Sequence, residues 1–211
     1  WEGRDVEVIH PSIGWMQVEE FDPAEWKPNW PNEAFRNLTS RDGYWAAKLV
    51  GAFTDEQIRA AVGAVRLRDS SVADTLVDIL AYRRDRIVEH WYGEVTPIEE
   101  VEIVPMAEGL EVRFTDAGIE AGVWDGTETR YRFQFEDPAR GIVSRGSRAA
   151  VARRSGQRLL IPFDAATRGE PDEDALSTLR VTAERPGATG RPSTLFLAWR
   201  AGRYRIVGLE H

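Results

Sequence analysis

Tyr131-Arg132-Phe133-Gln134-Phe135 alternates ring and polar side chain. A period of two puts three aromatics on one face of a strand and turns the other face to water. Six more stretches beyond Pro97 follow the same rule, some loosely: Val101-Glu102-Ile103-Val104, Leu110-Glu111-Val112-Arg113-Phe114, Arg158-Leu159-Leu160-Ile161-Pro162, Thr178-Leu179-Arg180-Val181-Thr182, Thr194-Leu195-Phe196-Leu197-Ala198-Trp199 and Arg203-Tyr204-Arg205-Ile206-Val207. Arg200-Ala201-Gly202 between the last two reads as a tight hairpin turn. Half-buried strands of this kind pair antiparallel, and seven of them in residues 98–211 predict a β-sandwich of immunoglobulin or fibronectin type III kind. Gly122 to Gly126 and Gly141 to Gly146 read as turn glycines between strands.

Upstream of Pro97 the period changes to 3.6 residues. Thr39 or Ser40 caps a helix that runs toward Gly51, and Thr54-Asp55-Glu56-Gln57 is a capping box opening a second, with Ile58, Ala61, Val62 and Val65 as its apolar stripe. Ser70 or Ser71 caps a third and longer helix, whose Val72, Leu76, Ile79, Leu80, Arg83, Ile87 and Trp91 recur at spacings of three and four until Gly93 and Pro97 stop it. Residues 1–38 carry no period but hold Trp1, Trp15, Trp26 and Trp30 among Pro11, Pro23, Pro28 and Pro31. Proline removes ladder donors and tryptophan needs a surface to cover, so this stretch predicts an extended wrap over the helices. The expected class is α+β: residues 1–97 form the aromatic-rich wrap with a three-helix subdomain, and residues 98–211 form the β-sandwich.

Composition removes several kinds of chemistry. With no cysteine in 211 residues, disulfide frameworks, thiolate metal sites and thiol nucleophiles are excluded. The net charge is −8, with 11 Lys+Arg against 17 Asp+Glu up to Pro97 and 16 against 18 beyond it. No basic run exceeds Arg83-Arg84, so nucleic acid is not an expected partner. No apolar stretch is long enough for a membrane span.

Catalytic constellations are missing from the sequence as well. His10 and His90 have no second histidine at ligand spacing, and no nucleophile-elbow, dinucleotide or phosphate-loop glycine motif occurs, so no catalytic residue, metal or cofactor is expected. Glu19 and Glu20 point to opposite sides of an extended chain and cannot both face one substrate, while Glu170, Asp172, Glu173 and Asp174 read as an acidic surface loop. Arg83, Arg84 and Arg86 are expected to form ion pairs that pin the long helix to the tryptophan-rich stretch. The candidate binding residues are aromatic: Trp15, Trp26, Trp30, Tyr44 and Trp45 suit a stacking platform for the apolar faces of sugars. Burial of these rings against the helices is the competing expectation, and the favoured one.

One resemblance adds to these readings. Phe21-Asp22-Pro23-Ala24-Glu25-Trp26-Lys27-Pro28, Pro31-Asn32-Glu33-Ala34-Phe35, Asp42-Gly43-Tyr44-Trp45-Ala46-Ala47-Lys48, Phe53-Thr54-Asp55-Glu56-Gln57-Ile58-Arg59-Ala60 and Arg83-Arg84-Asp85-Arg86-Ile87 together resemble the C-terminal region of large, uncharacterised, exported bacterial proteins. The closing Arg205-Ile206-Val207-Gly208-Leu209-Glu210 is similar to the way those proteins end. The resemblance implies a periplasmic or extracellular location and a kinase-like segment upstream whose motifs this chain lacks. It implies a non-catalytic structural or interaction module, with the upstream domain of the same polypeptide as a partner and carbohydrate or protein as further ones. A carbohydrate-binding or glycosidase accessory domain is the alternative.

Overall fold

The computed structural model describes Ile13, Met16 and residues 21–150, 156–163 and 175–211. Trp1, His10, Trp15, Glu19, Glu20 and the acidic loop of residues 170–174 lie outside the described residues. The chain forms two compact units, Trp1–Trp91 and Tyr92–His211. The division falls six residues before the boundary expected after Pro97, within a helix that the sequence pattern follows to Gly93.

In the first unit the helices start where side chains satisfy their free amides. α1 (Glu33–Arg36) is a single turn capped by Asn32, in a stretch expected to be extended throughout. α2 (Ser40–Gly51) and α3 (Asp55–Ala64) each begin with a reciprocal capping box, Thr39 with Asp42 and Thr54 with Gln57. The hydrogen bonds from the Thr39 hydroxyl and amide hold the Asp42 carboxyl below the usual carboxylate range. α4 (Ser70–Glu94) is capped by neither expected serine: Asp69 Oδ1 accepts the Ser71 amide at 2.9 Å and the Ser71 hydroxyl at 2.7 Å. Asp69 has the shorter, ionised acceptor and so takes the cap. Glycines let α4 approach its neighbour, since a Cβ on Gly43 would meet the Trp91 ring at 2.1 Å and one on Gly51 would meet Val88 at 2.8 Å.

The second unit is a β-sandwich. β1 (Ile98–Met106), β2 (Gly109–Asp116) and β5 (Gln157–Pro162) form one sheet in the order β1-β2-β5. β3 (Arg130–Asp137), β4 (Ile142–Ala149), β6 (Leu176–Arg185), β8 (Ser193–Arg200) and β9 (Arg203–Glu210) form the other in the order β4-β3-β6-β8-β9, and the short β7 (Ala188–Thr189) pairs with β6. All pairings within the sheets are antiparallel. This split, with the first, second and fifth strands against the rest, is the strand arrangement of a fibronectin type III kind of sandwich, extended here by β9. A four-residue helix, α5 (Ala117–Glu120), follows β2.

Both sheets turn their alternate residues into one core, in which Val112 and Leu159 from one sheet meet Phe135, Leu179 and Leu195 from the other. All seven expected strands are present. Two were missed, and β4 is the instructive one: its Gly146 is not a turn glycine but a strand residue opposite Phe133, where a Cβ would stand 2.7 Å from the ring. The β8–β9 hairpin closes through Ala201 at φ 51° and Gly202 at φ 77°, the two successive left-handed residues that a two-residue hairpin turn requires.

Candidate functional site

In the helical unit the apolar stripes of three helices converge without filling the space between them. α2 contributes Gly43, Ala46 and Val50; α3 contributes Ile58 and Ala61; α4 contributes Leu80, Ile87 and Trp91. These positions recur at three, four and seven residues, so each set lies along one side of its helix. Phe21, Pro23, Trp26, Phe35 and Leu38 from the stretch before α2, with Phe53 from the α2–α3 connection, complete the wall of a cavity of about 730 Å³. Trp26 and Phe35 pack at 5.2 Å between ring centroids and 57° between planes.

Only Gln57, Arg83 and Arg84 bring polar side chains to this wall, and all three are engaged. Gln57 Oε1 accepts the Thr54 amide at 3.0 Å as half of the capping box. Arg83 lays its guanidinium 4.8 Å from the centre of the Phe21 ring. Arg84 donates to Asp55 at 2.7 Å, to the Phe53 carbonyl at 2.8 Å and to Asp85 at 2.8 Å. Burial pulls the Arg84 pKa down, but the hydrogen bonds and charges of Asp55 and Asp85 outweigh it and hold the group above its ordinary value. Arg84 ties α4 to the start of α3, and Arg83 reaches the N-terminal stretch at the Phe21 ring. Arg86 pairs along its own helix with Glu89 at 2.5 Å.

Among the described residues, the four aromatics singled out from the sequence do not share one surface. Tyr44 is 2% exposed and belongs to the core, whereas Trp26 is 50%, Trp30 83% and Trp45 63% exposed, against the favoured expectation that these rings are buried. Of the four described, Trp26 alone lines the cavity; Trp15 lies outside the described residues. On α2 the reason is helical angle: Tyr44 and Ala47 lie on the inner side, and Trp45 and Leu49 are turned away from it. The apolar period read on α4 contained the cavity wall, but stripes are read as mates for one another, and sequence gives no sign that they stop short of contact.

The β unit holds its polar groups in its interior. The Asp116 carboxylate accepts the Tyr131 hydroxyl at 2.7 Å, the Arg185 guanidinium at 2.5 Å and the Gly118 and Ile119 amides at 2.9 and 3.1 Å. The Asp116 and Arg185 side chains are fully buried, and Arg185 lies 5.1 Å from the Trp124 ring centre. Burial first, and then the adjoining carboxylate, pushes the Tyr131 hydroxyl far above the usual tyrosine range. A second cluster has Tyr204 donating to Asp137, with the Tyr204 pKa pushed up to about 12 by burial and by that bond. Asp116, Tyr131, Arg185, Asp137 and Tyr204 are all buried, so neither cluster offers a substrate access. His90 stacks edge-on against Trp91 at 4.7 Å, and His211 Nδ1 lies 2.9 Å from Ser193 Oγ. Among the described residues no group of acids and histidines is arranged to hold a metal, and no helix is long and apolar enough to cross a membrane.

Neither the protein-family models nor the curated proteins contain a match to this chain. Among solved structures it is similar to the chicken interferon gamma receptor alpha chain, at 12% identity and a TM-score of 0.32, over 53% of this chain and 55% of that one. The likeness spans about half of each chain and carries no argument here; the sandwich rests on this chain's own strand pairing.

Proposed function

We propose that this chain is a non-catalytic interaction module of a longer, exported bacterial protein, and that its helical unit binds an uncharged apolar molecule or aliphatic chain. The observation that carries the reading is the cavity of about 730 Å³ whose wall is almost wholly apolar and aromatic, with Gln57 and Arg84 hydrogen-bonded within the protein and Arg83 laid against the Phe21 ring. A volume in the range of roughly 300–1,000 Å³ with apolar and aromatic walls is that of a small-molecule site. A wall that offers so few hydrogen bonds favours an apolar occupant. The resemblance of residues 21–87 to the C-terminal region of exported bacterial proteins supports the setting.

Nile red, a neutral apolar dye, tests the binding. It should give a saturable one-to-one fluorescence rise that Ala61→Phe, which sets a ring into the cavity, reduces at least tenfold while the circular dichroism is unchanged. A rise that is unsaturable, or that Ala61→Phe leaves intact, contradicts the reading. The exposure of Trp30 and Trp45 favours a second reading, sugar stacking on these rings. Quenching of tryptophan fluorescence by oligosaccharides, lost in Trp30→Ala with Trp45→Ala, is its test.

A further inference from the structure

We propose that the outer face of β3, β4 and β6 is a separate binding site for a small ligand bearing phosphate or comparable oxyanion groups. Strand register assembles it. Gln134 of β3 stands opposite Arg145 of β4 and Arg180 of β6, and two residues away Arg132 stands opposite Ser147 and Thr182. Residues two apart on a strand face the same way, so these six side chains form a block two deep and three wide on the side of the sheet away from the core. Three are guanidinium groups, one is an amide and two are hydroxyls; each can donate a hydrogen bond and none is an acid. A depression of about 530 Å³ lies over this block.

The charges around the depression are unevenly matched. Arg132 donates to Glu184, and Gln134 donates to Glu136 at 2.5 Å. Among the described residues the Arg145 and Arg180 side chains make no hydrogen bond or ion pair, although the chain carries 35 acidic residues against 27 basic ones. One strand separates the two arginines, which sets their backbones about 9–10 Å apart. Side chains of that length converge from both sides on a ligand held over Gln134. A guanidinium fork matches the paired oxygens of phosphate or carboxylate, and two forks facing each other match a ligand with two such groups. The volume is that of a small ligand. This site lies in the β unit and does not rest on the reading of the helical cavity.

Amide-resolved NMR titrations of the whole chain with inorganic pyrophosphate and, separately, with citrate test the assignment and tell a phosphate source from a carboxylate one. Saturable shifts confined to β3, β4 and β6, weakened by 1 M salt and weakened at least tenfold by Arg145→Gln with Arg180→Gln, are expected. Arg203→Gln, a change of an exposed arginine outside the depression, should leave the affinity within twofold. No saturable response to either anion, or a response that the double substitution leaves within twofold, overturns the proposal. Both substituted side chains are exposed, so an unchanged melting temperature is expected and separates lost binding from lost fold.

Discussion

In the β unit the inward side chains of two sheets meet and close, leaving Phe135, Leu179 and Leu195 without exposure, whereas in the helical unit Trp30, Trp45, Phe53 and Val65 all stay more than half exposed. The difference lies in how each kind of element spreads its apolar residues. A strand sorts residues onto two faces, and pairing lines those faces up into a continuous surface that a second sheet can cover. A helix points residues around a full circle, so α2 sends Tyr44 and Ala47 inward and Trp45 and Leu49 outward, and the short α2 and α3 with the longer α4 cannot cover one another on all sides. The closed interior holds its carboxylates in hydrogen-bonded clusters, such as that of Asp116, while the open one keeps its polar groups at the wall.

The largest expected effect is at the closed interior. Asp116→Ala leaves the buried Arg185 guanidinium without its carboxylate, and a loss of about 3–5 kcal/mol in urea unfolding is expected. A loss below about 1 kcal/mol would break the contrast, since it would mean that water reaches Arg185. Next come two insertions of the same ring. Ala183→Phe, in the sandwich core, should cost about 1–3 kcal/mol by overpacking, while Ala61→Phe, at the helical cavity, should cost close to nothing. Equal costs would show that the cavity is filled in solution.

Alkaline pH should separate the units in the same sense. An unfolded tyrosine ionises near 10 and folded Tyr204 near about 12, so between these values the unfolded chain releases a proton that the folded chain keeps. Stability from this group is complete below about 10 and is lost as pH rises through about 12. Near-ultraviolet circular dichroism of the β unit, tracked against pH, should show the decline in that window, and a signal unchanged to pH 12.5 or so contradicts it. The smallest effect is on the exposed side of α3. Gly63→Ala meets no atom within 4 Å and should stabilise the chain by about 0.5–1 kcal/mol through helix propensity, read from the thermal midpoint.

How much of this was legible in advance depended on how local each cause is. The capping box at Thr54, the seven alternating strands and the Ala201–Gly202 turn depend on residues within a few positions, and all are where the pattern puts them; at the first helix the pattern left Thr39 and Ser40 as alternatives, and Thr39 takes the cap. β4 was hidden because Gly146 signals a turn locally, and only the Phe133 ring on the neighbouring strand explains a glycine there. Asp116 and Arg185 are 69 residues apart, and Arg132, Arg145 and Arg180 come from three strands, so no sequence window contains either group. The absence of long basic runs rightly describes the sequence, yet sheet pairing gathers single arginines into a cationic face all the same.

The sequence by itself determined the order and type of the elements, helices and then antiparallel strands, because period, caps and turn residues act over a few residues. It also determined that thiol chemistry is absent. Which apolar faces close and which stay open was decided only in the tertiary structure. The same holds for which tryptophans meet solvent and which arginines stand together. Those outcomes depend on whether surfaces distant along the chain fit one another, and fit is a property of the assembled shape rather than of any segment.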